Sequence, residues 1–189
     1  FDVVPVLMCI LVSVLVGMAL TAPISSVAIC VAIQIGEVPL AAASALIGCC
    51  TQMIGFAVET ARDNKVGSVL AVGLGTSMLQ FKNIVRKPLI WLPTLIVSAL
   101  LGPLAMTFPI SGTDLTAFTK SLSVGAGMGT CGLVGPLNFF DAFSYNWVVV
   151  LEVIGYGLLL PIVFVFLVDL LFRKIGWIKK GDFALSNDL

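Results

Sequence analysis

Four long apolar runs leave this chain very little choice of fold. Residues 3–20, 38–58, 88–108 and 147–172 are almost free of charge, and each reaches the roughly 18 residues that mark a helix able to cross a bilayer. In hydrocarbon the backbone must satisfy its own N–H and C=O groups, which a helix does internally. The composition agrees: the chain is 59% hydrophobic and 11% charged, with a mean hydropathy of +1.14, whereas soluble domains are about a quarter charged. The expected fold is all-α, a polytopic transmembrane helix bundle. Residues 1–172 form the membrane domain and 173–189 a basic cytoplasmic tail.

Between the long runs lie pieces that do not span. Residues 22–36 reach only about 22 Å at 1.5 Å per residue, short of a roughly 30 Å core. They begin within T-A-P-I-S-S, residues 21–26, where Pro23 breaks the chain. Thr21, Ser25 and Ser26 either satisfy the backbone freed there or line a site at a broken helix. Residues 66–81 are short and glycine-rich, with Gly67, Ala71 and Gly75 in the small-xxx-small pattern of close packing. Residues 109–146 centre on G-A-G-M-G-T-C-G-L-V-G-P-L. So much glycine implies a closely approached backbone or a re-entrant loop held inside protein. The G-x-G-x-x-G within it has no preceding soluble strand, so a dinucleotide site is rejected.

Charge placement orients the bundle. Arg62 with Lys65, Lys82 with Arg86 and Lys87, and the tail carry most of the basic residues. The positive-inside rule puts all three groups in the cytoplasm. Residues 66–81 lie between two of them, so a simple crossing is awkward and a re-entrant hairpin resolves it. Glu152 then falls near the outer end, and Asp169 is placed to form an i,i+4 pair with Arg173 at the membrane interface.

The richest cluster of polar groups is G-F-A-V-E-T-A-R-D-N-K, residues 55–65. Ionisable groups at the edge of hydrocarbon are costly unless they face protein, water or a ligand. Ser44, Gly48, Gln52, Gly55 and Glu59 recur at spacings of four, four, three and four, so they share one helix face. Either that face lines a polar path or it packs plainly against neighbours. The candidate substrate-binding residues are Glu59, Thr60, Arg62, Asn64, Gln52, Thr21 and Ser25. Arg62, Asp63 and Lys65 also suit the simpler role of solvated interface charges.

Several chemistries are excluded. The chain has no histidine and a formal net charge of zero, which removes the usual proton shuttle and gives nucleic acid no basic surface. No Ser–His–Asp set is possible. The five cysteines show no C-x-x-C spacing and read as small buried hydrophobes, so neither metal nor cofactor is expected. The chain begins at Phe1 and enters an apolar run without a basic n-region, which fits a secretory signal poorly. The expectation is the C-terminal part of a longer polypeptide.

T-A-P-I-S-S-V-A-I, G-F-A-V-E-T-A-R-D-N-K-V-G, L-G-T-S-M-L-Q-F-K-N-I-V-R-K-P and G-M-G-T-C-G-L-V-G-P together resemble the EIIC membrane component of the bacterial phosphotransferase system. The closest resemblance is to its perfringolysin O regulator-like (toxin regulator) branch. The resemblance implies a multi-pass sugar permease of the bacterial plasma membrane, commonly a homodimer, with two re-entrant hairpins around the sugar. It also implies a separate EIIB as phosphoryl donor. In better-known sugar EIIC proteins a Glu in G-I-T-E-P contacts the sugar. G-F-A-V-E-T, ending at Glu59 and Thr60, is a loose counterpart with an extra residue and no Pro. Lys82, Arg86 and Lys87 would meet EIIB or anionic lipid headgroups. Two alternatives stand beside the permease: a non-transporting sensor or regulator on the same scaffold, and a carrier without phosphorylation.

Overall fold

The computed structural model describes residues 4–110 and 115–185. Val3 and the last four residues of the tail lie outside them. Among the described residues every regular element is helical. The α-helices are α1 (Pro5–Thr21), α2 (Ser26–Ala32), α3 (Pro39–Thr60), α4 (Val66–Leu70), α5 (Phe81–Arg86), α6 (Leu92–Leu101), α7 (Thr119–Met128), α8 (Val134–Ala142), α9 (Trp147–Ile154) and α10 (Leu160–Ile175). Three continuous helical stretches, Pro39–Thr60, Pro88–Thr107 and Trp147–Ile175, are long and apolar enough to cross a membrane.

α3 is the axis of the bundle. Its most apolar stretch is 94% buried, against 28% for Trp147–Ile175. It packs against α1, α6, α7 and α10. Its Ala, Ser, Gly and Cys content makes that possible, because small side chains let helix backbones approach closely. At the α1 crossing, a Cβ on Gly48 would overlap the Ser13 carbonyl oxygen, and one on Gly17 would stand 2.9 Å from Gln52 Cγ. Further along, Gly55 receives Thr94 of α6 and Val165 of α10. Trp147–Ile175 instead exposes Leu151, Leu159, Val163, Leu167 and Leu171, as a face turned to hydrocarbon must.

The pieces too short to span form broken or doubled-back elements. α1 ends at Thr21, opposite the middle of α3, and α2 leads away from the break. Ser25 caps α2 by accepting a hydrogen bond from Ala28 N–H at 3.2 Å, the usual service of a serine at that position.

The first hairpin is α4 with the π turn Ala71–Gly75, then Thr76, then Ser77–Gln80 and α5. It enters beside the C-terminal end of α3 and reaches inward to set Ser77 beside Thr21. It then returns past Thr60 through Gln80. One expectation fails here. Gly67 and Gly75 have open space beside them among the described residues, and it is Gly73 that presses on Ala57 Cβ at 3.0 Å. Gly67, Ala71 and Gly75 are all exposed, so the face they share is turned away from α3 and the close contact is made from the other side of the hairpin.

The second hairpin is α7 and α8. It enters at the opposite end, where Gly36 N–H donates to Ser123 Oγ at 2.9 Å. Its turn lies against the middle of α3: Gly129, at φ +53°, lies so close to Cys49 that a Cβ would stand 2.7 Å from the Cys49 carbonyl carbon. The glycine-rich stretch is therefore the closely approached backbone its composition implied. The two hairpins touch tip to tip, with Thr130 Oγ1 donating to the Gly73 carbonyl at 2.7 Å.

Candidate functional site

Two polar regions lie along α3, seven residues apart. The first is at mid-depth, where the break after α1 and the first hairpin tip converge. Gln52 is fully buried. Its Oε1 accepts from Trp91 Nε1 at 3.1 Å, and its Nε2 donates to Ser98 Oγ at 3.3 Å. Thr21 Oγ1 lies 3.5 Å from Gln52 Oε1 and 3.0 Å from Ser77 Oγ. Ser13 Oγ donates to the Ser98 carbonyl at 2.8 Å. The region is uncharged and rich in hydroxyl and amide groups, with an indole at one side. Those groups pair readily with sugar hydroxyls, and aromatic surface favours their apolar ring faces.

The second region is at the end of α3 and is charged. Glu59 is fully buried, and neither of its carboxylate oxygens has a hydrogen-bond partner among the described residues. Asp169 and Arg173 of α10 are its electrostatic neighbours. Arg173 Nε donates to both oxygens of Asp169, at 3.0 and 2.8 Å. Asp63 lies 3.8 Å from Arg173, and Arg62 3.8 Å from Asp169. The i,i+4 pair expected for Asp169 is present. It is an interior pair, however, since the Asp169 side chain is only 1% exposed. Asp63 was expected to tolerate a solvated role, but its side chain is also 1% exposed. The return of the chain after α10 covers it.

Beside these charges is an amide cluster. Gln80 Nε2 donates to Thr60 Oγ1 at 2.7 Å and to the Phe183 carbonyl at 3.1 Å. Asn83 Nδ2 donates to Gln80 Oε1 at 2.8 Å. Asn64 Nδ2 donates to the Phe183 carbonyl at 2.8 Å.

The seven candidate residues thus divide. Thr21 and Gln52 share the mid-depth region. Glu59, Thr60, Arg62 and Asn64 stand at the charged end. Ser25 is exposed, serves as the cap of α2, and joins neither group. Trp91, Ser98, Ser77, Gln80 and Asn83 belong to the two regions without having been singled out, and Arg173 was singled out only as the partner of Asp169. Ser77, Gln80 and Asn83 carried a legible signal, being polar at successive spacings of three in an apolar setting. Trp91 and Ser98 carried none, because a lone Trp and a lone Ser in a span are ordinary. The structure holds no cluster of ligating side chains suited to a metal among the described residues.

A buried helical axis, hairpins inserted from both ends and a polar centre at mid-depth define a helical membrane protein with broken, re-entrant elements. Residues 1–185 match the family described as phosphotransferase system, EIIC. The chain belongs to that family, and is thereby a sugar permease component of the phosphotransferase system. No curated protein and no solved structure matches it.

Proposed function

We propose that the chain binds a sugar or polyol at mid-depth between the hairpin tips, with Gln52 and Thr21 as principal contacts. Ser77, Ser98 and Trp91 complete that site. The solute then leaves past Glu59 and Thr60, and a separate EIIB phosphorylates it at the basic end. Arg62 and Asn64 shape that exit and do not grip the sugar. The permease works in the bacterial plasma membrane as a multi-pass homodimer.

The observation that carries this reading is the tip-to-tip contact of Thr130 with Gly73, beside a buried, uncharged polar centre. Two segments that enter from opposite ends and meet there can part in turn, exposing the same centre to each side. Carboxamides and hydroxyls match a neutral, hydroxyl-rich solute better than an ion.

The test is uptake of a panel of labelled sugars by cells carrying the full-length protein, with Gln52→Ala and Glu59→Gln alongside. Uptake of one sugar, released phosphorylated only when EIIB is present and abolished in Gln52→Ala, supports the proposal. No uptake of any sugar sinks it in favour of a regulator on the same scaffold. Uptake that persists in a host lacking the phosphotransferase system points to a carrier without phosphorylation.

A further inference from the structure

The last described residues make an unusual set of contacts. α10 ends at Ile175, and the capping Gly176, with a φ of +89°, turns the chain back on itself. A second turn at Gly181, φ +94°, lays residues 182–185 across the mouth of the charged region. Ile178 and Phe183, 2% and 0% exposed, enter an apolar cluster with Phe56, Val72, Ile84 and Ile90. The Phe183 ring lies 6.5 Å from Phe56 and 5.6 Å from the Arg173 guanidinium.

The polar contacts of this strap go mostly to its main chain. The Phe183 carbonyl accepts from Asn64 and Gln80, and the Ala184 carbonyl from Asn83 at 3.1 Å. Leu185 N–H donates to Asn64 Oδ1 at 2.8 Å, and Phe183 N–H to Asp63 Oδ2 at 3.4 Å. Only Asp182 is read through its side chain, by Lys87. Residues 179–184 are folded in two successive turns, with Asp182 N–H donating to the Lys179 carbonyl and Ala184 N–H to the Gly181 carbonyl, and three carboxamides hold the backbone that follows them. Peptide-binding proteins divide the work in the same way: main-chain hydrogen bonds supply affinity, and a pocket for one side chain supplies register. Beneath the strap lie Asp63, Asp169, Arg173 and Glu59, the last with its oxygens unpartnered.

We infer that Asn64, Gln80 and Asn83, with the pocket of Phe56 and Ile84, form a slot for a peptide turn with an aromatic anchor. The chain's own residues 178–185 occupy it as a removable strap over the charged region. With the strap in place the charged region is closed at the basic end, and with the strap displaced it is open. This does not depend on which solute the protein carries.

The test uses the full chain in lipid nanodiscs and a fluorescent peptide of the sequence IKKGDFAL. Asp182→Lys removes the half-exposed pair with Lys87 and the Lys179 N–H contact within the strap while leaving the buried contacts intact, so it carries little risk to folding. Phe183→Ala removes the anchor. A tethered segment competes at millimolar effective concentration, so wild type should bind the peptide weakly. Phe183→Ala should bind it at least about tenfold more tightly and Asp182→Lys by a smaller factor, up to about fivefold, and a scrambled peptide should bind none of them. Amide exchange should agree: the N–H groups of Phe183 and Leu185 exchange slowly in wild type and fast in both variants. Exchange over residues 59–64 should then rise in step and fall again when peptide is added. Equal binding to wild type and both variants, or to none, overturns the slot. Fast strap exchange with no change at residues 59–64 overturns the closure.

Discussion

The two polar regions on α3 are built on opposite principles. At mid-depth, Gln52, Thr21, Ser77, Ser98 and Trp91 are neutral and all have partners. At the end of the helix, Glu59, Asp63 and Asp169 face Arg62 and Arg173, with atoms of Glu59, Asp63 and Arg173 left over. A neutral centre exchanges internal hydrogen bonds for bonds to a solute at little cost, since a typical bond is worth only about 1 kcal/mol net. A buried ionic cluster cannot be opened so cheaply. The first is suited to repeated binding and release, and the second to holding three segments in one arrangement: the end of α3, α10 and the strap.

That contrast can be broken at its strong end first. Arg173→Ala leaves Asp169 and Asp63 buried without their main partner and should cost about 3–5 kcal/mol, read as a loss of folded protein in detergent unfolding. A loss below about 1 kcal/mol would mean the cluster is solvated and the contrast false. Gln52→Leu strands Trp91 N–H and Ser98 and should cost about 1–3 kcal/mol by the same assay. Glu59→Gln sharpens the comparison: neither oxygen loses a partner, so stability should change by less than about 1 kcal/mol. A larger loss would reveal that the Glu59 charge is a working member of the cluster.

The smallest effect belongs to the strap. Partial burial of Asp182 acts to raise its pKa, but the Lys179 N–H and the Lys87 ammonium outweigh it and hold the carboxyl below the usual range. Its contribution is therefore complete above the unfolded value of about 3.9 and lost as pH falls through the lower folded value. For a half-exposed pair it should amount to about 0–1 kcal/mol. Amide exchange at Leu185, corrected for intrinsic rate, should accelerate modestly between pH 5 and pH 3 (chosen to bracket about 3.9) and not in Asp182→Asn.

Much of the architecture was legible along the chain. The break after Thr21, the incomplete span after Lys65 and the inserted glycine-rich segment each announced themselves by length, proline or glycine. The stripe from Ser44 to Glu59 was legible as a face, and it is wholly buried. It contacts different neighbours along its length: α1 at Gly48, then Trp91 and Ser98 at Gln52, then α6 and α10 at Gly55. Helical periodicity reports which residues share a side and says nothing of what faces them. Gly67, Ala71 and Gly75 teach the same: the three share an exposed side, and their spacing did not say that this side is turned away from α3.

By itself, the sequence determined that this is a helical membrane bundle, where its helices break, and that its charge gathers at one end. Those properties follow from hydropathy, helical period and the cost of charge in hydrocarbon, all of them local or additive. Only the tertiary structure decided that Gln52 meets Trp91 and Ser98, that Asp169 and Asp63 are interior, and that residues 178–185 lie over the end of α3. The chain distances involved, 39 residues from Gln52 to Trp91 and 121 from Asn64 to Leu185, explain why. Contacts so remote depend on how the helices pack, and no pattern along the sequence encodes them.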